Sequence, residues 1–120
     1  MRQTYSTNED LHALIAELRK AASGDKVLIW KRIAADLSKP SRQRRVVNLS
    51  RISRYSKEND TVIVPGKVLS TGDLNHKVQV AAFTFSNSAR EKIEQAKGKA
   101  VTISELLQSK PDGKGIKIIG

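Results

Sequence analysis

The sequence contains no cysteine, and this absence excludes several kinds of chemistry. Without a thiol the chain forms no disulfide, offers no thiolate nucleophile and builds no sulfur-ligated metal site. It also lacks any run approaching the ~20 apolar residues that a membrane-spanning helix requires. Its N-terminus has no apolar core of the kind found in secretory signals. We therefore expect a soluble protein that stays in the cytoplasm and does not bind membranes.

Aromatic residues and histidines are scarce as well. Aromatic residues make up 4% of the chain, which leaves few rings for stacking the bases of single-stranded nucleic acid. The only histidines, His12 and His76, have no arrangement of acids around them that suggests a proton relay, and structural zinc usually needs four ligands. Gly66-Lys67 is not part of the eight-residue phosphate loop that binds nucleotides. The sequence therefore predicts a protein that is not an enzyme, with no metal, no cofactor and no small-molecule substrate.

Positive charge is what the chain has in excess. Its formal net charge is +10, from 22 lysines and arginines against 12 acids. Residues 38–57, called the basic run below, contain seven basic residues and no acid. These are Lys39, Arg42, Arg44, Arg45, Arg51, Arg54 and Lys57. The rest of the chain is nearly balanced, with six bases and five acids in residues 1–37 and nine bases and seven acids in residues 58–120.

The basic run indicates contact with a polyanion. An exposed helix face normally mixes charges of both signs, because opposite charges four residues apart stabilise it. Here the repulsion is unanswered within the segment, and arginine suits phosphate because its planar guanidinium group donates paired hydrogen bonds. A membrane-binding helix would carry large apolar residues opposite its bases, and residues 38–45 have none. Since exposed aromatic rings are few, folded RNA is the expected target.

Apolar spacing predicts a helical hairpin in residues 1–37. Leu11, Ile15 and Leu18 share one helical face in the first helix, which is expected to begin near residues 6–7. The second helix is expected to begin near Asp25, to bury Trp30 and to end before Pro40. A helix-turn-helix regulator that reads DNA is the alternative interpretation. The bases, however, follow the second helix in a loop, which favours phosphate contact over readout of base edges.

Residues 46–120 alternate short strands with short helices, which predicts an α/β fold. Ser50 is expected to cap a helical turn that buries Ile52 and Tyr55. Strands are expected at 61–64 and 67–69, separated by a Pro65-Gly66 turn, and again at 78–85 and 116–119. Capping boxes are expected to begin two further helices, and a turn is expected at 111–113. The two boxes are Ser88 with Glu91, and Thr102 with Glu105. We expect one domain over residues 1–120, made of a hairpin (1–37), the basic run (38–57) and a strand and helix core (58–120).

Several segments, in this order, resemble one known family. They are Val47-Asn-Leu-Ser-Arg-Ile52, Thr61-Val-Ile-Val-Pro-Gly-Lys-Val-Leu69, Phe85-Ser-Asn-Ser-Ala-Arg-Glu-Lys-Ile93 and Gly98-Lys-Ala-Val-Thr-Ile-Ser-Glu-Leu-Leu107. The chain is similar over nearly its whole length to the archaeal and eukaryotic large-subunit ribosomal protein numbered eighteen (the "eighteen-e" family), which is related to bacterial large-subunit protein fifteen. Eukaryotic members run longer at both ends, so the chain is more similar to archaeal members.

The resemblance implies a fold, a place and a set of contacts. The implied fold is an N-terminal helical hairpin followed by irregular strand–strand–helix turns in a superhelical arrangement. The implied place is the large ribosomal subunit, where one copy would bind large-subunit (23S-type) rRNA beside neighbouring ribosomal proteins. The resemblance also adds Asn48 and Lys67 to the basic residues as RNA contacts. The predicted RNA-binding residues are therefore Lys39, Arg42, Arg44, Arg45, Asn48, Arg51, Arg54, Lys57 and Lys67.

Overall fold

A computed structural model describes residues 8–22, 28–39, 45–109 and 115–119. The helices are α1 Asn8–Ala22, α2 Leu28–Leu37, α3 Leu49–Tyr55, α4 Asn87–Gln95 and α5 Ile103–Ser109. The strands are β1 Arg45–Asn48, β2 Asp60–Leu69, β3 Val78–Phe85, β4 Lys99–Thr102 and β5 Ile116–Ile118. The predicted α/β class is confirmed. The predicted starts of the first two helices and the turn at 111–113 lie outside the described residues.

The strands form one parallel sheet in the order β1-β2-β3-β4. Each turn of the chain adds the next strand beside the last, which gives the chain a superhelical course. The short strand β5 returns to β2 and pairs with Thr61–Ile63, whereas β1 pairs with Gly66–Leu69. Both short strands therefore share one edge of β2, one beside each half of it.

The strand β2 runs without a break through Pro65 and Gly66, so the prediction of a turn there is wrong. The register with β3 changes from Val64 opposite Ala82 to Lys67 opposite Thr84. Two residues of β2 thus face one residue of β3, which defines a β-bulge. A bulge is one of the few places where a sheet accepts proline, because proline has no N–H to donate to the neighbouring strand.

Helices cover both faces of the sheet. Alternate residues of a strand point to opposite faces, and Val62 packs with α3 and α4 while Ile63 packs with α1, α2 and α5. Trp30 of α2 is fully buried in this second layer, as its position in the apolar pattern predicts. None of the helices in the described ranges is long and apolar enough to span a membrane.

The capping boxes have different outcomes. The prediction for Thr102 and Glu105 is confirmed, since the Thr102 N–H donates to the Glu105 carboxylate at 2.9 Å and the Glu105 N–H donates to the Thr102 hydroxyl at 3.0 Å. The prediction for Ser88 is wrong, because Ser86 is the N-cap of α4 and accepts from the Ala89 N–H. The strand β3 ends at Phe85, so the helix begins directly after one linking residue. Ser88 lies inside the helix and donates its hydroxyl proton to the Ser70 hydroxyl oxygen at 2.8 Å.

Candidate nucleic-acid interface

The basic run begins directly after α2 and includes the strand β1 and the helix α3. Arg42, Arg44 and the side chain of Arg45 lie outside the described residues, so their part in the site stays a prediction. Lys39 follows α2 and is exposed, with its ammonium group 3.4 Å from the Asp36 carboxylate. An acid just outside the run therefore partly neutralises the first of its charges.

The helix α3 presents two arginines and one tyrosine to solvent. Leu49 and Ile52 bury one side of the helix in the core, which leaves Arg51 and Arg54 on the exposed side. The Arg51 and Arg54 guanidinium carbons lie 5.1 and 5.9 Å from the centroid of the Tyr55 ring. At these distances the ring attracts each cation through its negative face. The tyrosine therefore holds two guanidinium groups near one exposed surface.

Tyr55 is 52% exposed, so the prediction that it is buried is wrong. The last core position of the helix region belongs to Ser56, which lies four residues after Ile52 and is 8% exposed. The Ser56 hydroxyl donates to the Ile52 carbonyl at 2.6 Å and lies 2.9 Å from His76 Nε2. Because a serine with satisfied hydrogen bonds occupies the buried place, the larger tyrosine remains outside.

Asn48 ends β1 and occupies the N-cap position of α3, which corrects the prediction that Ser50 is the cap. Its backbone is extended, and its side chain makes no capping hydrogen bond. Among the described residues, the Asn48 Oδ1 atom is buried and has no hydrogen-bond partner. A buried acceptor without a donor is costly, so this oxygen is available to a donor from outside the described residues.

Lys67 is exposed and lies on β2 beside the basic run. Its register partner on β1 is Val46, which is 60% exposed, and its partner on β3 is Thr84. Register partners in a parallel sheet point to the same face, so these three side chains form a row. The structure thus brings the predicted contact Lys67 next to β1, although 20 positions separate it from Val47 in the sequence.

Lys57, the last basic residue of the run, lies beside Asp60, an acid just outside the run. The Asp60 carboxylate accepts from the Lys57 backbone N–H at 2.7 Å and lies 3.0 Å from the Lys117 ammonium group. These contacts, with the hydrogen bond from Lys57 first, lower the pKa of Asp60. The lowered pKa keeps the Asp60 carboxylate ionised, and the carboxylate forms an ion pair with Lys117 of β5.

Lys117 is a functional candidate that the sequence analysis missed. It lines a cavity of about 400 Å³ together with Arg51 and Tyr55. The contact depends on β5 returning to β2, where Lys117 is the register partner of Val62. No local motif reports such a pairing, since it joins residues that are far apart in the chain.

A tight loop supports the first turn of α3. The Ser50 N–H donates to the Thr71 carbonyl at 3.1 Å. The Lys92 ammonium group donates to the carbonyls of Ser70 and Gly72 at 2.9 and 3.0 Å. Gly72 has a φ of +92°, and a Cβ there would lie 2.4 Å from the Cβ of Ser50. Only glycine lets the loop approach the helix this closely.

Replacing Gly72 with alanine should destabilise the fold, and Gly115→Ala is its matched control. Both glycines have positive φ, but a Cβ at Gly115 meets nothing within 4 Å. The control should lose about 1–2 kcal/mol from the left-handed conformation alone. Gly72→Ala adds the cost of overpacking, for a sum of about 2–5 kcal/mol. Urea unfolding measures both losses, and equal losses would show that the loop does not constrain α3.

The described residues also bear on the question of a metal site. Within them, no group of three or more histidine, aspartate and glutamate residues is placed to hold a metal ion. The surface they do form is basic and exposed, and it is held by a cation–π cluster and by the Asp60 contacts. Such a surface suits anionic groups of a large ligand.

Comparison with known proteins gives one consistent family. Residues 6–120 match the model of the family described as "Ribosomal protein 60S L18 and 50S L18e". The chain is 47% identical over 119 residues to "Large ribosomal subunit protein eL18" of Methanothermobacter thermautotrophicus, covering 99% of this chain and 98% of that one. It is 44% identical over 117 residues to the protein of the same name from Sulfurisphaera tokodaii, covering 98% and 96%. The protein of that name from Methanococcus maripaludis is 42% identical over 119 residues, with 99% of each chain covered.

Proposed function

The chain belongs to the family of ribosomal proteins 60S L18 and 50S L18e, and from this premise we propose that it binds large-subunit rRNA through arginine and lysine contacts with phosphates. Family membership makes it a structural protein of the large ribosomal subunit, in agreement with the resemblance drawn from its motifs. The three relatives named above are archaeal.

The exposed side of α3 is the observation that carries the proposal. Arg51 and Arg54 are held near the Tyr55 ring, so less conformational entropy is lost when they bind than for two freely moving side chains. Guanidinium groups donate paired hydrogen bonds to phosphate oxygens. Lys57 at the end of the run and Lys67 on β2 are exposed as well. Lys67 points to the other face of the sheet from α3, because the next residue, Val68, packs with α3, so its proposed RNA contact is made from that face.

In this mechanism the protein stabilises the tertiary fold of the RNA. Phosphates of two RNA segments that approach one another repel, and a row of fixed cations between them removes the repulsion while releasing bound counterions. The proposal also assigns phosphate contacts to Arg42, Arg44 and Arg45. Asn48, which is partly exposed, contributes an uncharged contact through its side-chain amide group, which hydrogen-bonds to a ribose hydroxyl or a base.

The proposed partners follow from this arrangement. The chain binds large-subunit rRNA as one copy per subunit and lies beside neighbouring ribosomal proteins, with no membrane and no small-molecule substrate. Contacts with phosphates do not read sequence, so the RNA is selected by its shape. A DNA-binding regulator would instead form dimers and prefer one duplex sequence.

Binding of the full chain to deproteinised large-subunit rRNA tests the proposal. If about seven phosphates are contacted, log K should fall with log salt at a slope of roughly −5 to −6. Filter binding across a salt series measures the slope, and a random DNA duplex of equal length serves as competitor. A slope near −1, or a preference for one DNA sequence, contradicts the proposal. A tagged chain should also sediment with the large subunit in a cell extract.

A further inference from the structure

We infer that the chain has a second RNA-binding surface, formed by Lys77, Lys97 and Lys99. The inference starts from a cavity beside β2, on the edge of that strand that pairs with β3 and not on the edge that pairs with β5. This surface, called the lysine cleft, lies where β2, β3 and β4 begin and encloses a cavity of about 370 Å³. All three lysines line the cavity and are exposed. The occupant we assign to it is a phosphodiester of folded RNA, so the inference rests on the proposed function and extends it to residues outside the basic run.

The distribution of charge supports this assignment. Residues 58–120 carry nine bases and seven acids. The starts of the strands bring together Lys77, Lys97, Lys99, Lys117, Glu58 and Asp60. The five bases and five acids that remain in residues 58–120 cancel. The net charge of +2 of residues 58–120 is therefore the net charge of the residues at the starts of the strands.

Among the residues that the structure describes, the three lysines of the cleft form no ion pair with the one acid that lines it. Asp60 also lines the cavity, but its carboxylate already binds the Lys57 N–H and the Lys117 ammonium group. In the described part of the chain, the ammonium groups of the lysine cleft pair with no carboxylate. Their charges are therefore available to an external anion.

The spacing of the strands sets the size of the ligand. Neighbouring strands lie about 4.8 Å apart, so the starts of β2, β3 and β4 span about 10 Å. Lys77 directly precedes β3, and Lys99 is the first residue of β4. The three cations therefore lie along the β3 and β4 part of this width, and Asn59 of the β2 end completes the cavity lining. Such a row matches a short stretch of a polyanion rather than a small molecule, and Lys57, three residues before β2, connects the cleft to the basic run.

Two residues that line the lysine cleft have a left-handed backbone conformation, which is strained for residues other than glycine. Asn59 and Lys97 are the non-glycine residues with positive φ in the described ranges, at 70° and 71°, and both line the cavity. Lys97 follows α4 at a position where helices usually place glycine. Its N–H donates to the Glu94 carbonyl at 2.9 Å, and the Gly98 N–H donates to the Ile93 carbonyl at 2.9 Å, which together form a Schellman motif. A lysine at this position costs free energy that glycine would avoid, and strain of this kind concentrates at functional sites.

The glycine of this motif is Gly98, one residue after the left-handed position that Lys97 occupies, and the packing around Gly98 explains this placement. A Cβ at Gly98 would lie 2.2 Å from the Val78 carbonyl oxygen, so no larger residue fits between α4 and the start of β3. Val78 and Gly98 both line the cavity, next to Lys77 and Lys97. The chain thus places its glycine where the packing demands it and keeps a cation where only the backbone angle favours glycine.

Salt-dependent binding to deproteinised large-subunit rRNA tests the lysine cleft. The test variant of the full chain carries Lys77→Gln, Lys97→Gln and Lys99→Gln. A control variant with the same loss of charge carries Arg19→Gln, Lys31→Gln and Arg32→Gln, which are exposed positions on α1 and α2. Each lost phosphate contact should reduce the slope of log K against log salt by roughly 0.7–0.9. We expect the cleft variant to lose about two from the slope and the control to match the wild-type chain.

A single substitution guards against misfolding. Lys97→Gly places the preferred residue in the left-handed position, so its melting temperature should equal or exceed that of the wild-type chain. Its slope should nevertheless fall by roughly 0.7–0.9. A cleft variant that binds like the control overturns the inference, whereas the proposed function stands if the wild-type slope remains steep. A wild-type chain that binds no rRNA overturns the proposed function itself.

Discussion

Replacing Arg51, Arg54 and Lys57 with glutamine should lower the affinity of the chain for large-subunit rRNA by roughly 100-fold or more at physiological salt. Hydrogen bonds to charged groups contribute about 1.5–3 kcal/mol each, and each phosphate contact adds about one to the salt slope. All three side chains are exposed, and the two arginines contact the ring of Tyr55 rather than the core. Surface changes of this kind usually alter stability by less than about 0.5 kcal/mol each. The melting temperature should therefore stay close to that of the wild-type chain.

The control for this variant removes the same amount of charge elsewhere. Arg19→Gln, Lys31→Gln and Arg32→Gln act on the exposed sides of α1 and α2, in the layer on the other face of the sheet from α3. If general attraction by net charge dominated, both variants would lose affinity equally. A large loss confined to the α3 variant identifies a local interface, and a large loss of stability in that variant would instead assign the arginines a structural role.

Much of the fold follows from patterns that are local in the sequence. The apolar spacing of Leu11, Ile15 and Leu18 predicts the buried side of α1, since a helix repeats every 3.6 residues. Thr102 and Glu105 cap α5 as predicted because both partners of that box lie within four residues. In each case the interactions that decide the structure are formed by neighbours along the chain.

The wrong predictions concern residues whose role is set by distant parts of the chain. Pro65 and Gly66 have the chemistry of a turn, but pairing with β3 holds them in a bulged strand. Tyr55 has the spacing of a core residue, yet the hydrogen bonds of Ser56 with Ile52 and His76 fill the buried place. Local propensity is overridden in both cases because strand pairing and buried hydrogen bonds stabilise the alternative.

The candidate site divides in the same way. Arg51 and Arg54 are three positions apart, a spacing that places two residues on one side of a helix, and both contact Tyr55. Lys117 reaches the surface only through the pairing of β5 with β2. Lys97 reaches the lysine cleft because α4 ends against the start of β3. The count of charges along the chain found the basic run, but it could not find lysines that only the sheet assembles.

Replacing Trp30 with alanine should have the largest effect on stability, a loss of about 3–5 kcal/mol. Trp30 is fully buried where α1, α2 and α5 cover the sheet, and its removal leaves a cavity that the neighbouring helices cannot close. Since domains of this size are stable by about 5–15 kcal/mol, the loss is a large part of the total. Trp30 is the only tryptophan, so urea unfolding must be followed by circular dichroism rather than by fluorescence.

Two further variants sharpen this prediction. Lys31→Ala changes the adjacent exposed residue of α2 and should alter stability by less than about 0.5 kcal/mol, while Trp30→Phe should give an intermediate loss because part of the ring remains. A loss below about 1 kcal/mol for Trp30→Ala would mean that α1 and α2 unfold separately from the sheet. At low urea, where Trp30→Ala is still folded, its salt slope for rRNA should equal that of the wild-type chain, because the layer that buries Trp30 lies on the other face of the sheet from α3. Stability and RNA binding would then be separable properties of the two layers.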